Sequence, residues 1–197
     1  MTWELFAALA VFAFVTSITP GPNNLMLMAS GANFGFRRTI PHMLGVGVGF
    51  TLMIVLVGLG LARIFEAAPI SQIVLKVVSV VYMLWLAWRI AKAAGPGDGS
   101  RTGRPFSFLQ AAAFQWVNPK AWAMALTAVT VYAPSETVLS ILLVAFIFGA
   151  INLPSVGSWT LLGEKIRGLL ERPARLRAFN ATMAVLLVAS LWPVLAA

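Results

Sequence analysis

Apolar residues fill six windows of the chain, about 3–30, 40–62, 69–91, 108–132, 137–162 and 177–196, and polar or charged residues gather between them. A helix that crosses the roughly 30 Å hydrocarbon core of a bilayer needs about 20 predominantly apolar residues. Each window meets that length, so the pattern predicts six transmembrane helices and an all-α membrane protein. Two of the windows are interrupted. The first contains Thr-Pro-Gly-Pro-Asn-Asn at 19–24, and the fourth contains Val-Asn-Pro-Lys-Ala-Trp at 117–122. Proline removes a backbone N–H and clashes with the preceding turn, and glycine costs backbone entropy, so helices one and four are expected to be broken there.

Composition agrees with lipid as the solvent. Of 197 residues, 60% are hydrophobic and 10% charged, against roughly 45–50% and about 25% in ordinary soluble domains. The chain has no cysteine and one histidine, His42. Disulfides, thiol catalysis and Cys-based or His-cluster metal sites are thereby excluded, and neither a metal nor a cofactor is expected. A net charge of +8 in a soluble protein would suggest nucleic acid. Here the charges occupy short connections between apolar segments, so no nucleic-acid partner is expected. The N-terminal stretch, MTWELFAALAVFAFV, has no Lys or Arg ahead of its apolar run, and the run ends in Thr-Pro-Gly-Pro rather than a small-residue cleavage site. It reads as a retained first helix, not a signal peptide.

Lys and Arg accumulate in cytoplasmic loops, and their distribution orients the chain. Arg37 and Arg38 follow the first window. Arg89, Lys92, Arg101 and Arg104 surround the junction of the third and fourth. Lys165, Arg167, Arg172, Arg175 and Arg177 join the fifth and sixth, which places eleven of fourteen basic residues on one side. Arg63 and Lys76 fall to the other side with Glu4, Glu66 and Glu136. Both termini are therefore expected outside the cytoplasm. Trp3 and Trp192 fall at predicted outer ends, and Trp85, Trp88 and Trp159 near inner ones, as interfacial rings should; Trp116 and Trp122 fit neither belt.

The stretch AAGPGDGSRTGRP at 93–105 is the one segment that resembles a soluble linker. It divides a single membrane domain into a first repeat of about 1–92, a cytoplasmic loop of about 93–107 and a second repeat of about 108–197. Three helices per half means that the second half starts from the opposite side, the arrangement of two inverted three-helix repeats. The interruptions in helices one and four then occupy corresponding positions.

Irregular backbone is tolerated at membrane depth only where protein or a water-filled cavity surrounds it. Proline suits the first position of a helix and Asn its cap, so a half-helix is expected to begin around Pro22 to Asn24 and another at Pro119, capped by Asn118. Such starts present backbone N–H groups and a positive dipole end, which attract an anion such as a carboxylate. Lys120, one residue inside the second start, is an ionisable group at depth. It either pairs with that carboxylate or changes protonation during a cycle. The alternative is a pair of structural kinks with a snorkelling lysine. Gln115, Asn152, Pro154 and Ser155 are candidates for the same cavity or for interhelical hydrogen bonds. His42 is a candidate proton shuttle or a solvated interfacial residue, and Gly45 and Gly49, four apart, suit close helix packing. No acid lies deep in a window, which disfavours a strongly cationic cargo.

Taken together, Thr-Pro-Gly-Pro-Asn in the first window, a glycine-rich second, a basic central loop and Asn-Pro-Lys-Ala in the fourth resemble the LysE/RhtB family of amino-acid exporters. The resemblance covers the chain from Trp3 to the last window. It implies export of amino acids or close derivatives from a bacterial cytoplasm across the inner membrane, by a secondary transporter that exchanges its cargo for protons with alternating access. The cargo suggested is neutral and small to medium. The motif positions carried over are Pro20, Gly21, Pro22 and Asn23, and Asn118, Pro119, Lys120 and Ala121. With Asn24, Gln115 and Asn152 these form the expected substrate site, and Lys120 and His42 are the proton-coupling candidates. The stretch Phe-Gln-Trp-Val before Asn118 departs from the glycine and leucine that relatives often have, which puts the local packing in question. The expected partners are an amino-acid substrate, protons and membrane lipids, with homo-oligomerisation left open. An intramembrane enzyme lacks its nucleophile or paired acids here. A non-transporting scaffold and an exporter of another metabolite or cation stand as alternatives.

Overall fold

The computed structural model describes residues 1–61, 69–93, 104–133, 137–192 and 195. Among them all regular structure is helical: α1 (Trp3–Ile18), α2 (Pro22–Phe34), α3 (Phe36–Leu56), α4 (Pro69–Ala91), α5 (Phe108–Phe114), α6 (Pro119–Tyr132), α7 (Val138–Ile166) and α8 (Pro173–Ala189). Arg63, Glu66, Arg101 and Glu136 from the charge count, and most of the 93–105 stretch, lie outside the described residues. The predicted break at 19–24 separates α1 from α2, which meet at a bend of 53°. The predicted break at 117–122 separates α5 from α6, with one tight turn, Gln115–Val117, between them.

Several boundaries move. Arg37 and Arg38, expected in a loop, lie in the first turn of α3, because the link from α2 is the single residue Gly35. Gly35 has φ 83°, a left-handed value that glycine adopts without a Cβ clash. The first free N–H of α3, on Phe36, donates to the Glu164 carboxylate at 2.9 Å. The last helix starts at Pro173, earlier than predicted, and carries Arg175 and Arg177 within it.

Three segments are long and apolar enough to cross a membrane: Phe36–Leu61, Ile70–Ala91 and Val138–Leu170. The bent α1–α2 pair makes a fourth. By the same measure α5, α6 and α8 fall short singly, with 7, 14 and 17 residues.

Helix α7 runs along α1, α2 and α3; α3 also crosses α5; α4 lies against α8. These pairings join the two sequence halves, so the halves interdigitate and do not form separate bundles side by side. Leu9, Phe50 and Phe148 centre one core between α1, α3, α6 and α7. Met26, Met83, Phe114 and Leu187 centre another between α2, α4, α5 and α8. Large apolar side chains such as Ile73, Val77, Val81 and Phe146 face outward, as lipid-facing positions do.

Close approach depends on small residues, as expected for helices without a hydrophobic drive between them. A Cβ on Gly45 would meet the Phe108 carbonyl, and one on Gly49 would come within 2.6 Å of the Ala112 backbone. The predicted packing role of this pair is met at the α3–α5 crossing. The tightest contact was not read from the sequence: a Cβ on Gly31 would strike the Thr160 carbonyl, and one on Gly163 the Met28 carbonyl, so α2 and α7 touch backbone to backbone.

Candidate functional site

The C-terminal end of α1 leaves carbonyls without helical partners, and side chains from three other elements satisfy them. Asn24 Nδ2 donates to the Ser17 and Thr19 carbonyls, both at 2.8 Å. Trp159 Nε1, from α7, donates to the Ile18 carbonyl at 3.1 Å. Lys120 Nζ, from α6, donates to the Thr19 carbonyl at 2.8 Å, to Thr19 Oγ1 at 3.0 Å and to the Pro20 carbonyl at 3.4 Å. An ammonium at a helix C-terminus is favoured by the dipole as well as by these bonds.

The half-helix starts fall where expected, with one correction. Pro22 and Pro119 each occupy the first helical position. Asn118 caps α6 through its side chain, which accepts from the Lys120 backbone N–H at 3.2 Å. The cap of α2 is Gly21, and neither Asn23 nor Asn24 serves: Asn24 is drawn back to the α1 carbonyls, and Asn23 reaches across to the other break. Gly21 is required by contact, since a Cβ there would lie 2.7 Å from Lys120 Cδ.

Asn23 and Gln115 form a reciprocal amide pair. Asn23 Nδ2 donates to Gln115 Oε1 at 2.8 Å, and Gln115 Nε2 donates back to Asn23 Oδ1 at 3.2 Å and to the Ala111 carbonyl at 2.9 Å. The two interruptions, about one hundred positions apart in the chain, are thus in direct contact. Removing either amide strands its partner, which costs about 1–3 kcal/mol. Asn23→Ala and Gln115→Ala are expected to show a coupling of about 0.5–1.5 kcal/mol in a double-mutant unfolding cycle in detergent; strictly additive effects would count against a working pair.

Beside this pair lies a small space of about 20 Å³, lined by Gly21, Asn23, Asn24, Asn118, Lys120 and Asn152 among others. That volume is about one water molecule's worth. Asn152 Nδ2 donates to Ser17 Oγ at 3.0 Å, while its buried Oδ1 has no partner among the described residues. Of the positions singled out in the sequence, Pro20, Gly21, Pro22, Asn23, Asn24, Gln115, Asn118, Pro119, Lys120 and Asn152 all belong to this one locus. Ser155 instead donates to the Ile151 carbonyl at 2.7 Å, beside the turn that Pro154 interrupts.

His42 lies elsewhere. It is 1% exposed, so it is not the solvated interfacial residue that its position suggested. It faces an open cavity of about 360 Å³ bordered by α2, the end of α4 and the residues before α5. Helix α2 connects the two spaces: Met26, Ala29, Ser30 and Asn33 line the large one, Asn23 and Asn24 the small one. One helical turn, about 5 Å, separates them.

Across residues 14–190 the sequence matches the family model described as LysE type translocator. This chain belongs to the LysE-type translocator family. Its similar relatives include the cysteine/O-acetylserine efflux proteins of Escherichia coli and Shigella sonnei, each 31% identical over 193 residues, covering 95% of this chain and 96% of theirs. That of Klebsiella pneumoniae is 30% identical over 190 residues, with 95% of each chain covered. No solved structure matches. This LysE-type translocator is therefore a membrane transport protein and not an enzyme, and its two motifs form one polar locus in an apolar bundle.

Sequence reasoning gave no role at the two breaks to five residues that hold them. Thr19 and Ser17 were visible only as small polar residues ahead of a proline. Trp159 was assigned to an interfacial belt but braces the first break. Trp116 and Trp122, which fit no belt, brace the second: Trp122 Nε1 donates to the Trp116 carbonyl at 2.8 Å, and their rings meet edge to face at 6.1 Å.

Proposed function

We propose that this translocator exports amino acids or close derivatives from the cytoplasm by alternating access, with the substrate held where the two broken helices meet. The observation that carries this is the contact of both breaks around one polar space in an apolar bundle. An amino acid needs donors for its carboxylate and acceptors for its ammonium. The first turns of α2 and α6 supply N–H groups that have no preceding carbonyl in register. The Thr19 and Pro20 carbonyls and the unpaired Asn152 Oδ1 supply acceptors. The space of about 20 Å³ admits no amino acid, so the two breaks must separate to take one in; the larger space lies beside the basic residues Arg89, Lys92 and Arg104.

In this reading Lys120 holds the carbonyl cup that a substrate ammonium would occupy. Substrate entry displaces it, and release of its proton in that step would couple export to proton antiport. The route inward runs along α2 past the Asn23–Gln115 pair, which must part.

Six spans complete the architecture. The α5–α6 pair crosses as one broken helix in the manner of α1–α2, and α8, at about 26 Å for its 17 residues, crosses as the sixth span. The two three-helix sets form inverted repeats with both termini outside the cytoplasm, in a bacterial inner membrane.

The relatives named for cysteine and O-acetylserine efflux make small neutral amino acids the first cargo to test. Proteoliposomes loaded with unlabelled O-acetyl-L-serine are expected to accumulate labelled O-acetyl-L-serine by counterflow, with competition from L-cysteine. Absence of counterflow with every common amino acid would overturn the reading and favour the scaffold alternative.

A further inference from the structure

The 360 Å³ cavity has the size of a small-molecule site, unlike the central space. Arg89, Lys92 and Arg104 line it, with no carboxylate among its described lining residues. Arg89 and Lys92 are held by rings: the Arg89 guanidinium carbon lies 5.0 Å from the Trp85 ring centre and 5.7 Å from that of Phe106, and Lys92 Nζ lies 4.7 Å from that of Trp88. These contacts orient the cations without neutralising them. Phe106 also meets His42, ring to ring at 5.3 Å and 89°. His42 is 1% exposed, and neither of its nitrogens has a hydrogen-bond partner among the described residues. A buried imidazole must donate from at least one nitrogen, and leaving that donor unmet is costly.

We propose that this cavity is a second carboxylate-binding site, an antechamber in which an amino acid docks through Arg89, Arg104 and the imidazole of His42 before moving one turn along α2 to the central site. Three cations raise the local concentration of an anionic group, and the guanidinium fork of Arg89 or Arg104 matches a carboxylate in two-point contact. The buried imidazole adds a directional hydrogen bond at the inner wall. Asn33, also on the cavity wall, is tied to Asn180 at 2.9 Å and to the Ala29 carbonyl at 2.8 Å, and so fixes the wall without competing for the ligand. The choice of amino acid as the docked species rests on the export reading. A lipid headgroup phosphate shares the anionic chemistry and is separated by the test.

Because His42 is the one histidine of the chain, selective ¹⁵N-histidine labelling of protein carrying no histidine tag reports on this site alone. In nanodiscs of zwitterionic lipid, O-acetyl-L-serine is expected to shift the His42 ring nitrogens saturably. Arg89→Gln with Arg104→Gln is expected to weaken that titration by about tenfold or more, and Asn118→Ala to leave it in place. If the double variant is not monodisperse, Arg104→Gln alone is used, with a smaller shift in the same direction expected. No shift in the wild type, an unchanged titration in the arginine variants, loss of the shift in Asn118→Ala, or a shift produced only by phosphatidylglycerol would each overturn the antechamber. Counterflow decides the export reading separately, since a protein that titrates His42 yet shows no counterflow retains this site and loses that function.

Discussion

Lys120→Met is expected to lower the initial rate of amino-acid counterflow by about 10- to 150-fold while leaving the solubilised protein monodisperse. One hydrogen bond to a charged group is worth about 1.5–3 kcal/mol, and about 1.4 kcal/mol is a factor of ten in rate. The ammonium makes three contacts with the end of α1, and together with the Asn23–Gln115 pair it holds the second break against the first. The apolar cores centred on Phe50, Phe148 and Phe114 do not depend on it, so the helices should still assemble. Lys120→Arg is a useful companion, because a planar fork does not fit a cup of carbonyls shaped for an ammonium. Counterflow also separates the two roles of this residue, since exchange needs no net proton movement. If Lys120 only carries a proton, counterflow survives and proton-driven efflux fails; if it orders the site, both fail. Wild-type rates of both in Lys120→Met would remove it from the mechanism.

The second large effect is on assembly. Gly31→Val and Gly163→Val are each expected to lower the midpoint of thermal unfolding and the yield of monodisperse protein, by more than Gly45→Ala does. Overpacking costs about 1–3 kcal/mol where side chains can move aside, but here the Cβ would strike the backbone carbonyls of Thr160 and Met28, which cannot. Separating α2 from α7 also pulls Asn24 and Trp159 off the carbonyls of α1, so the site fails with the fold. An unchanged unfolding midpoint in Gly31→Val would show that α2 and α7 are farther apart than the structure has them.

The breaks were legible because proline chemistry is local: wherever Pro22 and Pro119 sit, they lack an N–H and favour a helix start. The cap of α6 followed for the same reason, Asn118 being adjacent to the proline it serves. The cap of α2 did not follow. Asn23 and Asn24 are equally good caps in isolation, and both are diverted, one to Gln115 and the other to the Ser17 and Thr19 carbonyls. Likewise Gly45 and Gly49 could be read from their spacing, whereas Gly31 and Gly163 lie on different helices and no spacing relates them. His42 was misplaced because its distance from a window's end says how deep it lies along a helix axis but not which face it shares with Phe106.

Local pattern and composition are enough to establish that lipid is this protein's solvent, that two helices must be interrupted, and that one lysine stands beside the second interruption. Each of these follows from the composition or geometry of a few consecutive residues. It took the packed helices to show that Lys120 closes the carbonyl end of α1, that Asn23 pairs with Gln115, and that His42 belongs to a separate, larger cavity. Those outcomes depend on which buried polar group finds which partner once α2, α3 and α7 have packed, and a donor excluded from water takes the acceptor that the packing brings near, however distant it is in the chain.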